Sequence, residues 1–180
     1  MKILIKNFFF VHIAYDDHGK VICKIKNSPF GKRQSYIYDS DNKLRFITDM
    51  ASKRSYDQNT GFHTYQIIEN ISGTNRIKAT AQMSDTTEEI NTKQFCFRPP
   101  FINKLMICLK NNDAMITVHL NRNGSSSIID KEGKTIGEIH KKFLQDYLTW
   151  YNDETMDKFL FCAINELTKY LYSENEFIIV

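Results

Sequence analysis

Residues 155–173, TMDKFLFCAINELTKYLYS, constrain the fold most, because as a helix they leave almost no polar side. A helix that is apolar around most of its circumference is normally buried in protein or membrane. The charged residues in this segment are too frequent for a transmembrane helix, which needs about 20 predominantly apolar residues. The segment therefore predicts a buried helix over about 153–173, with a core contributed by Phe159, Leu160, Ala163, Ile164, Leu167 and Leu171. The residues that interrupt this core are Asn165, Glu166, Thr168 and Lys169.

Three segments earlier in the chain share one pattern. YDDHGKVICKI, IYDSDNKLRFI and IIDKEGKTIGEI each place an Asp three residues before a Gly or Asn, then a Lys and an alternating apolar run. The Asp side chain can cap a tight turn, and Gly19, Asn42 and Gly133 can adopt positive φ where the chain reverses. The alternating runs are typical of half-buried strands. We therefore predict three antiparallel hairpins with an Asp at each corner.

Further short alternating segments, among them FHTYQII, KQFCFR and MITVHL, bring the total to about a dozen strands before residue 152. This spacing is typical of a β-sandwich or a barrel, and the strands must surround the apolar helix. A chain of 180 residues without a linker-like stretch fits one domain. We predict a single domain over 1–180, with strands over about 2–151, the helix over about 153–173 and a tail over 174–180.

The start of the chain, MKILIKNFFFV, contains too short an apolar run for a signal peptide, and no stretch is long enough for a membrane span. The four cysteines lie in separate apolar runs without Cys-x-x-Cys spacing, which predicts buried free thiols in a reducing compartment. These observations favour a cytoplasmic protein.

The Asp-x-x-Gly corners, the closing order IIDKEGKTIGEIHKK, DYLTWYND and DKFLFCAINELTKYL, and the apolar final helix resemble the tubby C-terminal-like superfamily. Within it, the resemblance is to LURP-one-related and phospholipid-scramblase-like proteins. It implies a closed antiparallel β-barrel of about twelve strands around a central hydrophobic C-terminal α-helix. The Pro-rich leader and palmitoylated cysteine cluster of scramblases have no counterpart here. The superfamily includes phosphoinositide binders, so the resemblance also implies a lipid-binding module.

Positive charge is concentrated at the start of the chain. Residues 1–54 contain 11 Lys and Arg against 5 Asp and Glu. Adjacent cations on exposed loops can bind phosphate groups, and Phe30 beside them could enter a membrane interface. A solvated rim without a ligand is the alternative. The candidate contacts with anionic phospholipid are Lys24, Lys26, Lys32, Arg33, Lys53 and Arg54, and the predicted location is cytoplasmic, peripheral at the membrane.

Other functions have weaker support in the sequence. The five histidines lie in five segments without metal-site spacing, the paired acids at the corners lack a calcium-loop pattern, and no phosphate-binding Gly loop or nucleophile elbow is present. We therefore expect no metal, no cofactor, no nucleic-acid partner and no enzymatic activity. Two alternatives stay open. One is a protein-interaction scaffold that adds its EFIIV end as a strand to a partner; the other is a hydrolase that uses scattered His and Asp residues.

Overall fold

A computed structural model describes residues 1–28, 34–50, 64–85, 102–110, 114–121, 125–151 and 156–177. Twelve antiparallel strands form a closed barrel, which β1 completes by pairing with β12. This confirms the predicted barrel; the predicted strand KQFCFR lies outside the described residues. The elements are β1 (Lys2–Phe8), β2 (Val11–Tyr15), β3 (Val21–Asn27), β4 (Ser35–Asp39), β5 (Leu44–Met50), β6 (Thr64–Ile71), β7 (Thr74–Asp85), β8 (Ile102–Leu109), β9 (Ala114–Leu120), β10 (Ser125–Asp130), β11 (Thr135–Lys142), β12 (Gln145–Trp150) and α1 (Lys158–Phe177).

The three Asp corners lie at one end of the barrel, which we call the corner end. At the β10–β11 turn, Asp130 Oδ1 accepts hydrogen bonds from Glu132 N at 3.0 Å and Lys134 N at 2.9 Å. Gly133 has a φ of +84°, a conformation that glycine adopts without steric strain. The β2–β3 turn at Asp16 and the β4–β5 turn at Asp39 repeat these bonds. The predicted corner chemistry is therefore confirmed.

The helix is enclosed by the barrel, since every residue from Leu160 to Thr168 is buried. Its side chains contact strands on several sides: the Phe161 ring packs edge-on against Trp150 of β12 at 5.5 Å, and Cys162 Sγ lies 3.7 Å from Cys23 Sγ of β3. The predicted core residues Leu160, Ala163, Ile164, Leu167 and Leu171 are all buried, whereas Phe159 is partly exposed.

The bounds of the helix differ from the predicted 153–173. Asp157 Oδ1 accepts a hydrogen bond from Phe159 N at 2.8 Å, so Asp157 caps the helix and the first helical residue is Lys158. The helix ends at Phe177, because no Gly or Pro stops it earlier. Residues 174–177 are therefore helical and not part of a tail. In EFIIV, Glu176 and Phe177 are helical in the chain alone, and residues 178–180 lie outside the described part. Its addition as a strand to a partner stays a prediction.

The cysteine prediction is correct for two residues. Cys23 and Cys162 are buried free thiols, whereas Cys108 is exposed. In β8 the inward positions belong to Leu105 and Ile107, so the two-residue period places Cys108 on the outer face. Cys96 lies outside the described residues.

Candidate functional site

The barrel end opposite the corner end carries two apolar turns, and we call it the aromatic end. Phe9 and Phe10 join β1 to β2, and Phe143 and Leu144 join β11 to β12. The two turns are neighbours, because Asn7 N donates a hydrogen bond of 2.9 Å to Leu144 O across the β1–β12 pair. Phe9 is 98% exposed and Phe143 is 91% exposed. Both rings therefore protrude into solvent with almost no contact to the barrel.

The chemistry of these turns is unusual for two-residue hairpin connections, which favour Asn, Asp and Gly. Leu144 has a φ of +59°, a left-handed conformation that is sterically unfavourable for a residue with a branched side chain. Asn or Gly would relieve this strain and would expose less apolar surface. The turn therefore contains an apolar residue at a position where neither backbone conformation nor solvation favours one.

Lysines surround the two apolar turns. Lys6, Lys26, Lys141 and Lys142 lie on β1, β3 and β11, within three residues of the aromatic end, on the contiguous strands β11, β12, β1, β2 and β3. Each ammonium group lies over a tyrosine ring, as Lys6 does over Tyr15 at 5.2 Å and Lys142 over Tyr147 at 5.2 Å. Residues 5–13, 24–28 and 140–147 contain one carboxylate, Asp146, and it is buried. The surface charge around these turns is therefore positive.

The structure places two of the six predicted phospholipid contacts. Lys26 lies at the aromatic end, where its register partner is Val11. Lys24 points the other way, because its Nζ lies 3.4 Å from Asn42 Oδ1 in a turn of the corner end. Outside the described residues lie the other four predicted contacts, Lys32, Arg33, Lys53 and Arg54.

Beneath the aromatic end, the barrel interior contains a cluster of charged side chains around Lys169. Lys169 Nζ lies 2.7 Å from Glu166 Oε1, 3.1 Å from Asp146 Oδ2 and 3.0 Å from His12 Nδ1. A fourth neighbour, Asn7 Oδ1, accepts a hydrogen bond from Nζ at 3.1 Å. The ammonium group has three donors for these four atoms, so the cation is fully coordinated. Its single positive charge offsets one of the two negative charges of the buried carboxylates Glu166 and Asp146.

The protonation of this cluster follows from burial and charge. Burial alone raises the pKa of Glu166, but the Lys169 cation and the bond to His12 outweigh it and lower that pKa to about 2. Burial alone lowers the pKa of Lys169, but the Glu166 and Asp146 carboxylates outweigh it and raise that pKa. Both groups therefore stay charged around neutral pH. A general acid or base needs a pKa close to the working pH, so this ion pair is suited to a structural role.

Hydroxyl groups extend the cluster across the barrel. Tyr170 shares hydrogen bonds with Ser35 at 2.8 Å and Thr48 at 3.1 Å, and its ring stacks on Tyr65 at 5.6 Å. Burial raises the pKa of Tyr170 and outweighs the opposing effect of the two hydroxyl bonds. Asn165, Glu166 and Lys169, which interrupt the apolar pattern of the helix, thus contact polar strand residues. The Thr168 hydroxyl instead donates a hydrogen bond to Ile164 O of the same helix. We call the whole group the polar network; its members are His12, Ser35, Thr48, Asp146, Asn165, Glu166, Lys169 and Tyr170.

Neither the aromatic end nor the polar network was predicted from the sequence. A detectable signal for the first was the triplet Phe8–Phe10, which separates two alternating strands at a position where a polar turn is expected. A signal for the second was the alternation of His12 with Ala14, which places the imidazole on the inward face of its strand.

Two absences concern the described residues. No three His, Cys, Asp or Glu side chains among them are grouped so that they could hold a metal ion. The described part of the chain also contains no helix with the length and apolar character needed to cross a membrane.

Comparison with known proteins yields similarity in fold. No family model matches the chain, and no curated protein matches it significantly. Among solved structures, the chain is similar to the X-ray structure of a protein from Arabidopsis thaliana, with a TM-score of 0.57 and 14% sequence identity. The match covers 97% of this chain and 90% of the Arabidopsis chain. The similarity shows that the two chains share a fold.

Proposed function

We propose that this protein is a non-enzymatic module that binds the headgroups of anionic phospholipids, peripherally at a cytoplasmic membrane surface. The observation that carries the proposal is the excess of positive charge on β1, β3 and β11 beside the two apolar turns. Lys6, Lys26 and Lys142 lie on the strands beside these turns. Within residues 5–13, 24–28 and 140–147 the one carboxylate, Asp146, is buried beside Lys169. Basic clusters of this kind are attracted to anionic leaflets by about 1 kcal/mol per cation near the surface.

Membership of the tubby C-terminal-like superfamily is part of the same proposal. It is supported by the order of the motifs and by the fold similarity to the Arabidopsis protein over nearly the whole chain. At 14% identity, the structural similarity supports a common fold alone. The lipid experiment below tests whether this chain binds lipid, because a shared fold does not imply a shared ligand.

The experiment is co-sedimentation with vesicles of phosphatidylcholine that contain phosphatidylserine or a phosphoinositide. We expect binding that weakens with added salt. The variant Lys6→Gln/Lys26→Gln/Lys142→Gln should lose affinity of the order of a hundredfold, since three lysines contribute about 1 kcal/mol each.

The corner end offers a matched control with the same change in charge. Lys20, Lys43 and Lys134 follow the Asp corners and are exposed. Their triple Gln variant should bind like the wild type. Equal loss in both triple variants would show a nonspecific charge effect and contradict the proposal, as would the absence of binding to anionic vesicles.

A further inference from the structure

Five apolar side chains of the aromatic end are at least half exposed. Phe9 and Phe143 are almost fully exposed, and Phe8, Phe10 and Leu144 each expose half or more of their surface. Single exposed apolar residues are common on protein surfaces, but a group of five on two adjoining turns is an interaction surface. Leu144 also adopts a left-handed backbone conformation. The turn therefore contains an apolar residue despite the backbone strain that this causes.

The shape of this surface selects the kind of partner. A ring that is 98% exposed, such as Phe9, projects from the barrel and does not line a groove. A stable protein interface needs a complementary surface of about 800 Å² on each side, which two protruding two-residue turns do not offer. A lipid bilayer accepts protruding side chains without a preformed complementary shape. Aromatic side chains with lysines behind them are also the combination found at membrane interfaces.

We propose that the barrel docks end-on on an anionic bilayer and inserts Phe9, Phe10, Phe143 and Leu144 below the headgroups. Lys6, Lys26 and Lys142 lie on the strands just behind these turns, at the height of the lipid phosphates. This inference rests on the proposed lipid-binding function and adds to it the inserted residues and the orientation of the barrel. In this orientation the corner end points away from the membrane.

The single tryptophan makes the orientation measurable. Trp150 is the only Trp in the chain and is 7% exposed. It is the last residue of β12 and lies at the corner end. We would replace Phe9, Phe143 or Ile71 by Trp, one at a time, in the full chain. Ile71 is the matched control, because it is 47% exposed at the end of β6, next to the β6–β7 turn of the corner end. The probe is quenching of Trp fluorescence by phosphatidylcholine and phosphatidylserine vesicles brominated on the acyl chains.

We expect the Phe9→Trp and Phe143→Trp proteins to shift to shorter emission wavelength and to be quenched on binding. Wild-type Trp150 and the Ile71→Trp protein should show neither change. Vesicle binding without quenching at positions 9 and 143 would overturn insertion and leave the headgroup proposal intact. Quenching of the Ile71→Trp protein equal to that at position 9 would overturn the end-on orientation.

A second variant tests membrane insertion separately from the binding of lipid headgroups. Phe9→Ser/Phe143→Ser should weaken vesicle binding by roughly tenfold or more, from the loss of two buried rings. Both rings are exposed in the free protein, so this variant should fold normally. Wild-type affinity in the variant overturns insertion alone, whereas absence of binding by the wild type overturns both proposals. Loss of a concentration-dependent dimer in the variant, with vesicle binding unchanged, would assign the surface to a second copy of the chain and overturn insertion.

Discussion

The two ends of the barrel are built from the same antiparallel hairpins but with opposite turn chemistry. At the corner end, an Asp carboxylate such as Asp130 accepts two backbone N–H groups of its own turn, and Gly133 supplies the positive φ. At the aromatic end, Phe143 has almost no contact with the barrel and Leu144 adopts the positive φ instead. The corner turns thus stabilise the hairpins that contain them, whereas the aromatic turns leave their apolar side chains exposed to solvent.

The interior follows the same division. Near the corner end the start of the helix packs apolar groups, with Phe161 against Trp150. Near the aromatic end it packs the polar network, in which Lys169 joins strand residues to Glu166. The stability of the aromatic end is therefore expected to come from buried charge pairs below its turns, and that of the corner end from the turns and the apolar core.

The largest expected effect is at the helix residues that hold the two ends together. Ile164→Asp or Leu167→Asp places an unpaired carboxylate at a position with no solvent exposure, so we expect a loss of about 5 kcal/mol in the free energy of unfolding. Urea unfolding monitored by Trp150 fluorescence measures it. Ile164→Val, which removes one methylene, is the control and should lose about 1 kcal/mol. Near-wild-type stability of the Asp variants would contradict the enclosed helix.

Removal of the central cation of the polar network should have the next largest effect. Lys169→Met leaves Glu166 and Asp146 buried without their cation, and we expect a loss of about 3 to 4 kcal/mol. The matched control is Lys78→Met, which breaks a more exposed pair with Glu69 at 3.5 Å and should lose less than about 1 kcal/mol. Equal losses in the two variants, measured by urea unfolding, would show that the polar network is no more important than a surface ion pair.

Acid should weaken the aromatic end through Glu166. The pKa of this carboxyl falls from 4.5 to about 2 on folding, so the unfolded state binds the proton more tightly. Its contribution, of the order of 3 kcal/mol, is therefore complete above about pH 4.5 and is lost as the pH falls towards 2. The difference in stability between wild type and Glu166→Gln should narrow over this interval. A difference that stays constant from pH 5 to pH 2 would contradict the ionised, paired state of Glu166.

The corner end could be predicted from the sequence because its signals are local. An Asp and the N–H groups it binds lie within four residues, as Asp130 and Lys134 do. The turn can therefore be predicted from the local sequence without knowledge of tertiary structure. The apolar helix was predictable for the same reason, from periodicity within one segment. Its start shifted because the capping residue is Asp157, which lies inside the predicted range 153–173.

The aromatic end and the polar network could not be predicted in this way because their contacts are distant in sequence. Lys169 and Asn7 are separated by 162 residues, and their pairing depends on barrel closure between the first and last strands. A polar helix residue such as Glu166 is normally assigned to solvent, and only the enclosing barrel makes it internal. The two apolar turns likewise became one surface when β1 paired with β12.

The smallest effects on stability are expected for single substitutions in the turns, and they allow the two ends of the barrel to be compared directly. Asp130→Ala removes an acceptor for two backbone N–H groups and should lower the free energy of unfolding by about 1 to 2 kcal/mol. Phe143→Ser removes a ring that is almost entirely in solvent and should change it by less than about 0.5 kcal/mol. Urea unfolding of both variants under one condition tests the contrast. A loss at Phe143 as large as that at Asp130 would mean that the aromatic turn also stabilises its hairpin, and its exposed rings would then need no external partner to explain them.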